Sequence, residues 1–216
     1  TISTPGWWQD ESEEAIRYAH RLGLDHRVLR VSGDEALTTI DQVIAAQHEP
    51  FGDYSIIPTL LVSKHSRPEI TVALSGDGGD ELFFGYERPI SLLRNGGDFR
   101  WPWLVRLGLY GAGKYGLTPR KSDVIVHKTP GDYYFEVNSR FSDDWMKKIA
   151  PGLAKAHGGL DLYAFDGYRG ELDLANYSRY VEFYGQLQRG LKKVDMASSQ
   201  VSLEVRVPLL DRAIID

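Results

Sequence analysis

Val72-Ala73-Leu74-Ser75-Gly76-Asp77-Gly78-Gly79-Asp80-Glu81-Leu82-Phe83-Phe84-Gly85-Tyr86 is the stretch from which the fold is read. The residues leading into it, Ile70 to Leu74, form an apolar run rich in β-branched side chains. That is the pattern of a strand buried on both faces of a parallel sheet. Ser75 to Glu81 then packs three glycines, three carboxylates and a hydroxyl into seven residues, where the strand should end. Open α/β sheets bind ligands at such strand ends. Glycine permits positive φ and close approach of a ligand to the backbone, and carboxylates supply hard oxygen ligands or proton acceptors. Leu82-Phe83-Phe84 reads as the first turn of a helix, ended by Gly85. Asp-Gly and Gly-Asp are ordinary turn dipeptides, so a solvated turn competes with a site here. Against the plain turn stands the crowding of three like charges, which costs energy unless a cation or a donor compensates. The spacing of a calcium-binding EF-hand loop is absent.

Composition bounds the remainder. At 216 residues the chain suits one large domain or a domain and a half, with 42% hydrophobic and 25% charged residues, as in ordinary globular proteins. A formal net charge of −5 gives no basic surface, so no nucleic-acid partner is expected. No apolar run reaches the length of a membrane span and no signal peptide opens the sequence, so the expected compartment is the cytoplasm. The cysteine count is zero, which removes disulfides, thiolate zinc sites and cysteine nucleophiles together. The six histidines, His20, His26, His48, His65, His127 and His157, lack i, i+4 pairing, so a histidine metal site has little support.

Along the chain, Thr1 to Thr4 reads as the tail of a strand. Asp10 with Glu13 predicts a capping box for a helix with Ala15, Ile16, Ala19 and Leu22 on its apolar face. His26 to Val31 reads as a second strand, and Ser32 as the cap of a helix carrying Leu37, Ile40, Val43 and Ile44. Glu49 to Ser55 forms a second acidic loop, with Pro58 in the first turn of the helix that follows. This order of strands and helices implies right-handed crossovers and a parallel sheet. From Pro89 to Gly159 large aromatics such as Trp101, Trp103, Tyr110 and Tyr115 suggest irregular helices filled by bulky side chains, and Asp132 is expected to cap a helix running to Phe141. Leu160 to Ser199 is mostly helical in pattern.

Three separated segments carry a resemblance. Leu74-Ser75-Gly76-Asp77-Gly78-Gly79-Asp80-Glu81-Leu82-Phe83 with Gly85-Tyr86 resembles the second signature of the synthetase domain of the glutamine-hydrolysing asparagine synthetase family. Lys193-Val194-Asp195 with Ala197-Ser198, followed by Leu203-Glu204-Val205-Arg206-Val207-Pro208-Leu209-Leu210-Asp211, is similar to that domain's later signature. Glu49-Pro50-Phe51-Gly52-Asp53 with Ser55 and Pro58, ahead of both in the chain, is similar to a further segment of the same domain. Three motifs in register across nearly the whole chain are far more specific than a lone glycine-rich loop.

The resemblance implies an ATP pyrophosphatase domain that activates a small-molecule carboxylate, the aspartate side chain first among candidates, as an acyl-adenylate. Ammonia released by a glutaminase domain of the parent protein would then give the amide and AMP. ATP and magnesium are the implied cofactors, and a homodimer is an assembly the family admits. By resemblance Asp77 and Glu81 are the catalytic candidates. Asp77 would attract ammonium and accept its proton, although many relatives carry the longer Glu there, and Glu81 would orient the loop or the metal shell. Ser75, Gly76, Gly78, Gly79 and Lys193 would contact the nucleotide, and Asp80 would hold the magnesium. The fold implied is α/β: an incomplete Rossmann-like parallel sheet of the adenine nucleotide alpha-hydrolase type in residues 1–88, then a mainly helical portion in residues 89–216.

Departures from the family pattern carry information. The Ser-Gly-Gly-x-Asp-Ser phosphate loop, a nest of backbone N–H groups, does not occur in the sequence. The expectation is therefore that Thr1 lies a short way downstream of that loop and that the chain is an inactive fragment of its parent. The glutaminase domain with its N-terminal cysteine and a lysine expected beyond the last residue are missing too. Met196 stands where that pattern has a basic residue. Two other readings stay open: a relative that amidates another carboxylate, in lactam formation or polysaccharide modification, and a non-catalytic module in which Asp77, Asp80 and Glu81 hold a cation or a partner.

Overall fold

A computed structural model describes residues 1–6, 10–47, 51–118, 122–139, 143–152, 161–165 and 168–215. His48, Glu49, Pro50, Phe141, His157 and Leu160 lie outside the described residues. The order opens with β1 (Ile2–Ser3), α1 (Ser12–Arg21), β2 (Leu29–Arg30), α2 (Gly33–Ala46), α3 (Ile56–Ser66) and β3 (Val72–Leu74). Next come α4 (Gly79–Phe83), α5 (Glu87–Asn95), α6 (Trp103–Lys114), α7 (Pro130–Asn138) and α8 (Asp143–Ile149). The chain closes with α9 (Glu171–Val181), a π-helical segment Glu182–Leu187, α10 (Gln188–Ser199), β4 (Glu204–Arg206) and α11 (Arg212–Ile215). The class is α/β with short parallel strands: β1 pairs with β2 and β3 with β4. No helix among the described residues is long and apolar enough to cross a membrane.

The chain divides into two compact units, each with its own core. The first comprises Thr1–Asp77 and Arg189–Ile214, the second Gly78–Gln188. One passage between them falls inside the Gly/Asp motif, between Asp77 and Gly78, and the other inside the helical run from Glu171 to Ser199.

In the first unit, α2 starts where expected: the Ser32 hydroxyl accepts from the Glu35 amide at 3.1 Å, and Asp34 and Glu35 complement the positive helix end. Its expected apolar face is only partly used, for Val43 is buried while Leu37 and Ile44 are exposed. Val43 joins Ile56 and Leu60 of α3 and Ala197 of α10, with Met196 packed against the cluster. Leu60 is fully buried, a contribution of about 2–3 kcal/mol by area. Two expectations need correction here. The Asp10–Glu13 capping box does not form: α1 begins at Ser12, and Asp10 instead accepts from the amides of Thr4 and Ser12 and the hydroxyl of Ser3. The strand ending at Leu74 is not buried on both faces, since Val72 is 40% and Leu74 73% exposed. The physical reason is that Val72 and Leu74 project from the same face of β3, and among the described residues that face is left largely uncovered.

In the second unit the core is aromatic and aliphatic: Leu92, Val124, Tyr133, Tyr134, Leu174, Tyr177 and Val181. Leu174, Tyr177, Ser178 and Val181 keep the i, i+3, i+4, i+7 spacing of one helical face. Thr129, not Asp132, is the cap of α7; its hydroxyl accepts from the Asp132 amide while the Asp132 carboxylate accepts from the Thr129 amide, with Pro130 at the first helical position. Asp132 is thus the third residue of a reciprocal box. The expected aromatic packing divides: the Trp103 indole donates to the Val126 carbonyl at 2.7 Å, whereas Trp101 and Tyr115 are exposed. Arg106, 2% exposed, is the polar centre of this unit and donates to the carbonyls of Trp101, Ile125, His127 and Lys128.

Candidate active site

In the first unit the parallel ladder sets the geometry. β3 and β4 run in register Val72↔Glu204 to Leu74↔Arg206, and the Ser75 amide continues the ladder by donating to the Arg206 carbonyl at 2.8 Å. The chain then turns on Ser75 itself. Its hydroxyl donates to the Asp77 carboxylate and accepts from the Asp77 amide at 3.1 Å, a local side-chain turn of the kind that serine favours after a strand. Nothing lies within 4 Å of where a Cβ on Gly76 would project, so packing does not require glycine there. The space beside it is open to an approaching ligand.

A cavity of about 430 Å³ opens at this turn. Ser75 and Asp77 line it from the strand end, Pro58 and Thr59 from α3, and Lys193 from α10. Three of the residues singled out in the sequence are therefore brought together in one pocket. Lys193 also acts on Asp53, in the loop before α3. The Asp53 carboxylate accepts from the Ser55 hydroxyl at 2.6 Å and amide at 3.0 Å, and Arg189 Nε stands 3.7 Å from it. Burial works against its ionised form, but the Ser55 hydrogen bonds and the charges of Lys193 and Arg189 hold the carboxyl below the ordinary range. Asp53 belongs to the acidic loop and to a segment that carries the family resemblance, yet no site role attached to it from sequence, and Arg189, a lone Arg on a helix, carries no motif of its own.

In the second unit, Gly78 has φ +88°, a left-handed conformation that glycine adopts without strain, and α4 follows. Phe84 closes α4 with φ +61°, which is uncommon for a bulky residue. The Gly85 amide donates to the Asp80 carbonyl at 3.0 Å, and a Cβ on Gly85 would lie 2.0 Å from Asp80 Oδ1. Glycine at 85 is thus required by the Asp80 side chain folded over it. Asp80 is exposed to solvent, whereas Glu81 is buried and accepts from the Tyr86 hydroxyl at 2.8 Å. Burial first, and then the Glu81 carboxylate, push the Tyr86 hydroxyl well above the ordinary tyrosine range, so it remains a donor. Each of the three carboxylates of the motif has its own surroundings: a serine hydroxyl for Asp77, a tyrosine hydroxyl for Glu81 and solvent for Asp80.

Among the described residues no group of three or more His, Asp or Glu side chains converges as a metal cage. Magnesium carried on a nucleotide is held through one or two carboxylates and substrate phosphates. Asp80 offers one such carboxylate, facing solvent.

The geometry is that of a strand-end pocket built from two signature segments, and comparison with known families decides what it belongs to. The family model described as "Asparagine synthase" matches residues 6–216. The chain belongs to the asparagine synthase family. Among curated relatives of this asparagine synthase family chain, Bacillus subtilis "Asparagine synthetase [glutamine-hydrolyzing] 1" is 24% identical over 221 residues, covering 95% of this chain and 33% of the relative. A Mycobacterium tuberculosis protein provisionally named as a glutamine-hydrolyzing asparagine synthetase is 26% identical over 209 residues, covering 93% of this chain and 32% of its own length. A shorter match, 57% identical over 47 residues, or 22% of this chain and 9% of the relative, links it to a provisionally named asparagine synthetase of Methanocaldococcus jannaschii. The chain spans about a third of the length of the first two relatives. No solved structure matches it significantly.

Proposed function

We propose that this chain is the synthetase part of an ATP-dependent amide ligase that adenylates a carboxylate and passes the acyl group to ammonia. One observation carries the reading: Ser75 and Asp77, from one signature, and Lys193, from another, line a single pocket at the end of β3. In this reading the β1–β2 and β3–β4 pairs are two separate parts of an incomplete Rossmann-like sheet, and the nucleotide sits at the strand ends, as in other open α/β sheets. The aspartate side chain is the first candidate substrate, because the relatives bear the names of asparagine synthetases. The glutaminase domain that would supply ammonia, and the backbone nest for the phosphates, are assigned to the whole protein.

The chemistry proceeds in two balanced steps. A substrate carboxylate oxygen attacks the α-phosphorus of ATP, the bond to the bridging oxygen breaks, and pyrophosphate leaves. Ammonia nitrogen then attacks the acyl carbon, the carbon–oxygen bond breaks, AMP leaves with that oxygen, and the nitrogen loses a proton. Lys193 contributes positive charge beside the phosphates, and the Ser75 and Gly76 backbone borders the nucleotide. Asp77, fixed by its two contacts with Ser75, attracts ammonium and accepts its proton. Asp80 would hold magnesium, which would neutralise phosphate charge. Glu81, buried on Tyr86, orients α4. The test is release of pyrophosphate from ATP and magnesium in the full-length protein, with and without aspartate. Aspartate-dependent release is expected; release of inorganic phosphate and ADP instead would refute the reading.

A further inference from the structure

Helix α4 has five residues and is entered and left through left-handed residues, Gly78 and Phe84. So short a helix has no stability of its own in water. Besides its packing against the Glu182–Leu187 segment, it is held by a line of side chains in the second unit. The Tyr86 hydroxyl donates to Glu81 at 2.8 Å, and the Arg88 guanidinium lies 4.1 Å from the centre of the Tyr86 ring. Arg88 in turn grips both oxygens of Glu182, with Nε at 2.6 Å and Nη2 on the other oxygen. Glu182 stands 94 residues further along the chain and is 1% exposed.

The placement of Glu182 is itself unusual. It opens a π-helical turn, and Leu187, five residues on, is equally buried. On an α-helix those two side chains would stand about 140° apart. The i→i+5 turn brings both onto one face, and such turns recur at functional sites. A buried Arg–carboxylate pair is a poor device for stability, since apolar residues of the same volume do as well or better. Its value lies in geometry, because a bidentate pair fixes the guanidinium plane and hence the ring stacked on it.

We infer that Glu182, acting through Arg88 and Tyr86, is a positioning residue that sets the orientation of α4 and with it the carboxylate of Asp80. The inference rests on the assignment of Asp80 to the ATP-dependent step. Glu182 touches neither nucleotide nor metal in this account; it acts at a distance by fixing Glu81, the next residue after Asp80.

Three variants of the full-length protein test it: Tyr86→Phe, which removes only the hydroxyl, Glu182→Asp, which shortens the grip, and the two combined. Amide hydrogen exchange is read over Asp80–Phe83 and over α9, and pyrophosphate release is read as kcat and KM for ATP. Exchange across α4 is expected to quicken about ten-fold in each single variant with α9 unchanged, because the opening is local. kcat should fall about ten-fold with KM for ATP within about two-fold, the mark of a misplaced group and not of lost binding. The double variant should be no worse than the poorer single one, since both cut the same line. Unchanged exchange in α4 for Tyr86→Phe, or additive effects in the double variant, would overturn the inference. Exchange and its additivity are read without turnover, so a parent protein that releases no pyrophosphate would refute the ligase reading while α4 still judged the relay. Quickened exchange with undiminished kcat would leave a clamp that does not position Asp80, and overturn the inference as stated.

Discussion

The amide of Ser75 donates to the carbonyl of Arg206 over 2.8 Å. Two segments that are far apart in the sequence thereby leave adjacent parallel strands at the same end, in register Leu74↔Arg206. Their alignment is why Lys193, on the helix that precedes β4, reaches the pocket lined by Ser75 and Asp77. The pocket is a product of the ladder, and each side chain around it makes a separable prediction.

Lys193→Gln keeps most of the length of the side chain and removes its charge. Loss of a contact between this charge and phosphate, about 1.5–3 kcal/mol, should lower kcat/KM for ATP about 10-fold to 100-fold. Steady-state pyrophosphate release measures this, and the urea midpoint should fall only slightly, because the Asp53 carboxylate that Lys193 supports keeps Arg189 and Ser55 as partners.

Gly85→Ala and Gly76→Ala form a contrasting pair. At 85 the new methyl would meet Asp80 Oδ1 at 2.0 Å and the Asp80 Cα at 2.9 Å, so the start of α4 must move. Overpacking of this kind costs about 1–3 kcal/mol, and displacing Asp80 should cut kcat about 100-fold. At 76 the methyl meets nothing within 4 Å, so stability should hold while KM for ATP rises. Equal loss of stability in both variants would show that the space at Gly76 is not free.

Arg106→Ala should be among the most damaging substitutions in the second unit. It strands four backbone carbonyls that now accept from one buried guanidinium. A cost of about 3–5 kcal/mol is expected, and Arg106→Lys should recover little, because an ammonium cannot span the fork. Urea denaturation of the two variants compares them directly.

Stability should fall in acid through Asp10. The Ser12 hydroxyl and amide, then Ser3 and Thr4, lower its carboxyl from the ordinary 3.8 to about 2. A carboxyl depressed in the folded state stabilises above its unfolded value and loses that contribution as pH falls through the folded one. The loss should therefore develop between about pH 4 and about pH 2. Asp10→Asn should be less stable near neutrality and flatter across that window, as followed by urea midpoints at each pH.

What the sequence made legible was local or motif-borne. Ser32 capped its helix as read, because a serine before an acidic first turn is a self-contained signal. The Gly/Asp motif stands out from its own residues and Lys193 by resemblance, and the structure brings Ser75, Asp77 and Lys193 to one pocket. The errors share a cause. A β-branched run predicts a strand but does not say whether anything covers its faces, hence the exposed Val72 and Leu74. Asp132 was taken for a cap when it is the far member of a capping box, a difference of three residues within one hydrogen-bond pattern. Glu182 and Arg88 were invisible because no local rule couples residues 94 positions apart.

The central claim is that a carboxylate is activated by attack on the α-phosphorus of ATP, and isotope transfer tests it most directly. Full-length protein turning over with aspartate labelled with oxygen-18 in its side-chain carboxylate should deliver one labelled oxygen to AMP. Label in inorganic phosphate, or none transferred to any phosphate product, would contradict the account.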